Sequence, residues 1–148
     1  MKTSVRQKRI GLAILGVSFL AGLLYPFETT IVPEWKAQVV DESGQPLRGV
    51  LVSEQWQHYS IETEGHEAET RTDKDGYIAF PRRSIRASLL IRAMGPVRNT
   101  LSTGVHSSLG RSSYLIVFTG YEHVTENAYY RPGEPLPRTV VIRRVTGR

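Results

Sequence analysis

The sequence predicts an all-β body, an antiparallel sandwich or barrel, behind a single N-terminal membrane-spanning helix. Three observations predict it. An uncharged apolar run from Ile10 to Leu24 follows four cations, Lys2, Arg6, Lys8 and Arg9. Past Pro33 the apolar residues recur every second position rather than every third or fourth. Gly and Pro punctuate the chain between these short runs, as in folds built of many strands.

The helix comes first. Residues 10–27 as a helix reach roughly 27 Å at about 1.5 Å per residue, just short of a ~30 Å hydrocarbon core. Its circumference has no polar face, which argues against a helix packed in a soluble domain. Tyr25 and Phe27 suit the far interface, and the cations suit the cytoplasmic side, so everything beyond residue 30 is expected outside the cytoplasm. A cleaved secretory signal is the alternative and needs small residues flanking the cut. Ala21 has Phe19 two before it, Gly22 has Leu20 and Thr29 has Phe27, so an uncleaved anchor is the expectation. The resulting division is a basic tail at 1–9, a span at 10–27, a linker at 28–34 and a body at 35–146.

The strands follow in order. In "EWKAQVVD" Trp35, Ala37 and Val39 share a face, and "GQPLRG" is a turn. "GVLVSEQW" puts Val50 and Val52 on one side; the polar "HEAETRT" reads as an exposed edge; "YIAF" is short and stopped by Pro81. "SIRASLLIRA" reads as one strand, with Ile85, Ala87, Leu89, Ile91 and Ala93 facing one way. "SSYLIVFTG" and "RTVVIRRV" complete about seven strands, with no helix expected after residue 30. Two long connections, 94–112 and 124–138, are where a partner would be sought.

Charge excludes less than it suggests. The net charge is +5, but from Thr29 onward 15 Lys and Arg face 13 Asp and Glu, so the basicity sits in the tail and no nucleic-acid partner is expected. Residues 34–75 hold 10 acids and 4 bases; residues 76–148 hold 3 acids and 11 bases. Arg82, Arg83, Arg86, Arg92, Arg98 and Arg111 are expected on a solvated sheet face opposite the Glu-rich 62–69 stretch. The chain has no cysteine, which excludes disulfides, thiolate metal sites and cysteine nucleophiles.

The sharpest chemical feature is "RTDKDGYIAFP", residues 71–81. With Gly76 at position 6 of a calcium loop, Asp73 and Asp75 fill positions 3 and 5, but positions 1 and 12 are Arg71 and Arg82. The flanks also alternate at period two, so the expectation is a turn between strands whose acids bend the chain. The four histidines, His58, His66, His106 and His123, form no chelating or H-E-x-x-H pattern. "HSSLG" places His106 beside two serines, yet sequence neighbours on a strand face opposite ways and make poor triad partners. No catalytic, cofactor or metal residue is therefore assigned. The alternative is a hydrolase or metal enzyme whose site is assembled from distant strands around His106 and His123.

"KAQVVDESGQPLRGVLV" and "TRTDKDGYIAFP", with "FTGYEHV" later, carry a resemblance. Val39 to Asp41, Gly44 to Leu47, Gly49 to Val52 and Thr72 to Gly76 match the pattern of the carboxypeptidase regulatory-like family, over roughly residues 35–124. The resemblance implies a seven-stranded transthyretin-like (prealbumin-like) Greek-key sandwich and a non-catalytic module, often exported, that binds ligands or accompanies other domains. It departs from the family in the long 94–112 insertion. Hydroxyisourate hydrolases share that fold as enzymes, but their Tyr-Arg-Gly-Ser ending and first-strand histidine are replaced by "VTGR" and "PEW". Address and resemblance together lead to the expectation of an anchored module on the periplasmic face of a bacterial inner membrane, meeting an envelope protein or a glycan through the two long connections.

Overall fold

A computed structural model describes residues 5–103, 110–120, 122–126 and 128–144. Helix α1 spans Val5–Leu24, and none of its residues is buried. It is long and apolar enough to cross a membrane. It stops at Leu24 because Pro26 disfavours the helical conformation for the residue before it.

The expected linker is instead a strand. Pro26–Val32 (β1) pairs antiparallel with Arg83–Ser88 (β6), with Thr29 opposite Ile85 and Phe27 opposite Ala87. Ile31 and Val32 are 1% and 0% exposed and belong to the core. The run Thr-Thr-Ile-Val is β-branched throughout and suits a strand, but the polar Glu28-Thr29-Thr30 reads as a linker when seen alone. Tyr25 and Phe27, placed at the span's end by the sequence, stack edge to face at the start of this ribbon, with centroids 5.0 Å apart.

The remaining strands make two four-stranded sheets. Tyr77–Phe80 (β5), Trp35–Asp41 (β2), Thr139–Arg144 (β10) and His123–Glu126 (β8) lie side by side in that order. The second sheet runs His66–Arg71 (β4), Leu51–His58 (β3), Arg111–Phe118 (β7) and Tyr129–Tyr130 (β9). The polar β4 is an edge, as its composition predicts. Trp35, Val39, Ile78, Phe80, Val140 and Ile142 of the first sheet share one core with Val52, Leu115 and Val117 of the second. The buried Trp35 satisfies its indole by donating to the Pro137 carbonyl at 2.9 Å. Among the described residues there are ten strands where seven were expected, and β10 runs parallel to β2 with Val140 opposite Val39.

A second helix replaces what the sequence reads as strand and loop. After Ser88 the chain enters α2, Leu89–Thr103. The Ser88 hydroxyl caps it, accepting from the Ile91 amide at 3.3 Å. Ile85 and Ala87 keep the strand alternation, but beyond them Leu90, Met94, Val97 and Leu101 recur at helical spacing. The period changes within one apolar run, and the Gly95-Pro96 pair disguises the change as a loop. Most of the expected 94–112 connection is therefore helix, and the expected 124–138 connection contains β8 and β9.

Candidate functional site

The calcium-like stretch is a turn, and it has a twin. Asp73 Oδ1 accepts from the amides of Asp75 at 2.9 Å and Tyr77 at 2.8 Å, and the Gly76 amide reaches the Asp73 carbonyl at 3.1 Å. Asp41 Oδ1 likewise accepts from the amides of Ser43 and Gln45, both at 2.9 Å, and Gly44 closes onto the Asp41 carbonyl at 3.0 Å. In both, the third residue after the aspartate is a glycine with positive φ, +81° at Gly44 and +78° at Gly76. One carboxylate oxygen of each aspartate is thus committed to holding the turn. The two turns also touch: a Cβ on Gly76 would stand 2.9 Å from both the Pro46 Cβ and the Val39 carbonyl oxygen. Hydrogen bonding from the Ser43 side chain, the largest cause, holds the Asp41 carboxyl below the ordinary carboxylate range.

The polar chemistry gathers elsewhere, on the inward face of β3. Val52 points into the core, so period two aims Glu54, Trp56 and His58 inward as well. Glu54 is fully buried, and its Oε2 accepts from Arg83 Nε at 2.9 Å. Burial, the dominant influence, pushes the Glu54 carboxyl above its ordinary range against the pull of the Arg83 hydrogen bond and charge. The Arg83 guanidinium lies 4.1 Å over the Trp56 ring, and Trp56 stacks on His66 at 5.5 Å. His66 Nε2 meets Glu62 Oε1 at 2.7 Å, while Glu62 Oε2 takes the His58 amide at 2.8 Å. Burial first, then the Arg92 and Arg111 charges, depress the His58 imidazole, against local hydrogen bonding and Glu62, so it favours the neutral form. Glu54 Oε1, His58 Nδ1 and Ser113 Oγ are buried with no partner among the described residues.

This constellation braces the β1–β6 ribbon against the β3 sheet. Arg83 comes from β6 and Glu54 from β3, and other arginines tighten the same joint. Arg82 and Arg86 both reach the Glu28 carboxylate, at 3.2 and 3.6 Å. Arg111 donates to the Thr30 carbonyl at 2.6 Å and Arg92 to that of Phe27 at 2.7 Å. Five of the six arginines expected on a face opposite residues 62–69 thus engage the ribbon and β3 instead. The signal for Glu54 was in the sequence: it continues the inward alternation of Val50 and Val52 as a carboxylate where an apolar residue belongs.

The other sequence candidates are dispersed. His58 and His66 belong to β3 and β4 of one sheet, and His123 belongs to β8 of the other. His106 and its two serines lie outside the described residues. Among the described residues, no three His, Asp or Glu side chains come together as a metal site would require. On the outer face of β3, Gln55, Gln57, Tyr59 and Tyr114 line a shallow cavity.

No protein-family model matches the chain, and no curated protein is similar to it in sequence. Among solved structures, it is similar to 3-chlorocatechol 1,2-dioxygenase from Rhodococcus opacus 1CP. The TM-score is 0.46 and the identity 15%, over 76% of this chain. The match spans 59% of that enzyme's length, and a likeness of this size carries no inference about chemistry.

Proposed function

We propose that this chain is a single-pass, membrane-anchored β-sandwich of the carboxypeptidase regulatory-like type, a non-enzymatic binding or structural module facing away from the cytoplasm. The observation that carries the reading is the continuity of anchor and body. Strand β1 begins two residues after α1 ends and places Ile31 and Val32 in the core. The body is thereby held at the bilayer without a flexible stalk, which suits a surface-bound module better than a diffusing enzyme. Arg6, Lys8 and Arg9 at the start of α1 support a cytoplasmic N-terminus under the positive-inside rule. The two Asx turns at Asp41 and Asp73 fall in the motifs that carry the family resemblance, and they support an architectural role for them. The partner sought is an envelope protein or glycan, met through residues 94–112 and 124–138.

The test is fractionation of the full chain with protease protection and N-terminal sequencing. An intact N-terminus in alkali-resistant membranes, with the body digested only from the extracytoplasmic side, is the expected result. A mature chain starting near residue 30 in the soluble fraction overturns the anchor. Stoichiometric metal lost on His123→Ala, with hydrolase activity lost alongside it, overturns the non-enzymatic reading.

A further inference from the structure

Helix α2 is amphipathic the wrong way round for a helix packed on a domain. One side meets the body: a Cβ on Gly95 would run into the Ser60 carbonyl, and Arg92 donates to the Ala87 carbonyl at 3.1 Å and the Phe27 carbonyl at 2.7 Å. The opposite side is apolar. Leu90, Met94, Val97 and Leu101 fall within an arc of about 60° on a 3.6-residue repeat. They are 41%, 58%, 57% and 82% exposed. A surface helix of a soluble protein turns such a stripe to the core and its polar side to water. Here the glycine and arginine side is docked and the leucine side is bare.

The position of α2 says what covers that stripe. Its first residue, Leu89, lines one apolar groove with Phe27 and with Ser18, Phe19, Gly22 and Leu23 of α1. Those α1 residues lie roughly 2–9 Å along the axis before the helix ends at Leu24, at about 1.5 Å per residue. Interfacial helices bury their apolar face about 5–10 Å into the boundary of headgroups and acyl chains. The bare stripe, which starts at the next residue, Leu90, therefore begins beside the apolar surface of α1 and at the depth an in-plane helix occupies.

We infer that α2 is an in-plane membrane helix whose Leu90, Met94, Val97 and Leu101 face enters the leaflet that α1 leaves. The inference rests on α1 being a membrane span. It gives the body two attachments to one bilayer, so the body is fixed in orientation as well as tethered. The Arg92 clamp on Phe27 and Ala87 sets the angle between them. Leu90, Met94, Val97 and Leu101 then contact lipid, which narrows the proposed partner contact to the rest of 94–112 and to 124–138.

The absence of cysteine from the chain makes the test direct. The full chain, reconstituted in phosphatidylcholine–phosphatidylglycerol vesicles, carries one nitroxide on Phe19→Cys, Val97→Cys, Leu101→Cys or Glu69→Cys, the last on the exposed edge strand. Buried-tryptophan emission confirms a folded body in each. The expected result is that labels at 97 and 101 behave like that at 19, colliding with oxygen and shielded from an aqueous nickel chelate, while the label at 69 does the reverse. Labels at 97 and 101 open to the nickel chelate, with 19 still in lipid, overturn the inference and leave the anchor standing. Labels shielded from both reagents put the stripe against protein and overturn it too. A label at 19 open to water removes the anchor and this inference together.

Discussion

Removing the Arg83 guanidinium leaves the Glu54 carboxylate buried without its cation, and Arg83→Met does so while keeping most of the aliphatic stem. Breaking a buried ion pair from one side costs about 3–5 kcal/mol. Arg83 retains 19% side-chain exposure against 0% for Glu54, which favours the lower end. The lost stacking on Trp56 adds about 0.5–1 kcal/mol. The expected deficit near neutral pH is therefore about 3–4 kcal/mol. Its pH dependence is the diagnostic part. Burial already raises the Glu54 carboxyl above its ordinary value of 4.5, and both influences opposing that rise come from Arg83, so the substitution raises it further. A carboxyl raised on folding contributes stability that is present in full below its unfolded value and is lost as pH rises through the folded one. The variant should thus lie nearest the wild type around pH 4 and farthest from it around pH 8. Urea unfolding of the full chain in micelles, followed by tryptophan emission, measures both. Adding Glu54→Gln to Arg83→Met removes the stranded charge and should recover about 2 kcal/mol near neutral pH. A deficit that is equal at both pH values, or a double variant that recovers nothing, refutes the reasoning.

The twin turns differ in one testable respect. Gly44→Ala meets open space and should cost about 1 kcal/mol for its positive φ, whereas Gly76→Ala also drives a Cβ to 2.9 Å from Pro46 and Val39 and should cost about 2 kcal/mol or more. Equal shifts in urea midpoint would mean that the turns do not pack on each other. Asp41 is held below its ordinary 3.8, chiefly by the Ser43 side chain, so its contribution is present above that value and lost as pH falls through the depressed one. Asp41→Asn should flatten the acid limb of the stability profile, and a profile parallel to the wild type's would refute the role of the ionised carboxylate.

How much of this was legible depended on whether the deciding interactions were local. The Asp73 turn is an arrangement of five consecutive residues, so its Asp-x-x-Gly spacing sufficed to read it as a turn between strands. The edge character of β4 follows from its composition, five polar residues around Ala68. By contrast, Glu28-Thr29-Thr30 became a strand only because β6 offers a partner 54–58 residues further along, with Glu28 opposite Arg86 and Thr29 opposite Ile85. The run from Ser84 to Ala93 kept strand alternation except at Leu90, and the helical spacing of Leu90, Met94, Val97 and Leu101 emerges only further along, so the local mark of the switch was the capacity of Ser88 to cap a helix. The arginines were assigned to the wrong partners for the same reason: apart from the Ala87 carbonyl, their carboxylate and carbonyl acceptors lie 29–81 residues away.

The sequence alone determined a spanning-length apolar helix, a body dominated by short strands, a turn at Gly44–Gly49 and an aspartate turn at Asp73–Gly76. Each follows from hydrophobic period, run length or turn chemistry, which act between residues a few positions apart. Only the tertiary structure decided that α1 runs almost directly into a core strand, that Glu54 and Arg83 form a buried brace, and that α2 turns its apolar stripe away from the body. Those outcomes depend on which distant surfaces meet and how the chain between them is closed, and no local pattern encodes that.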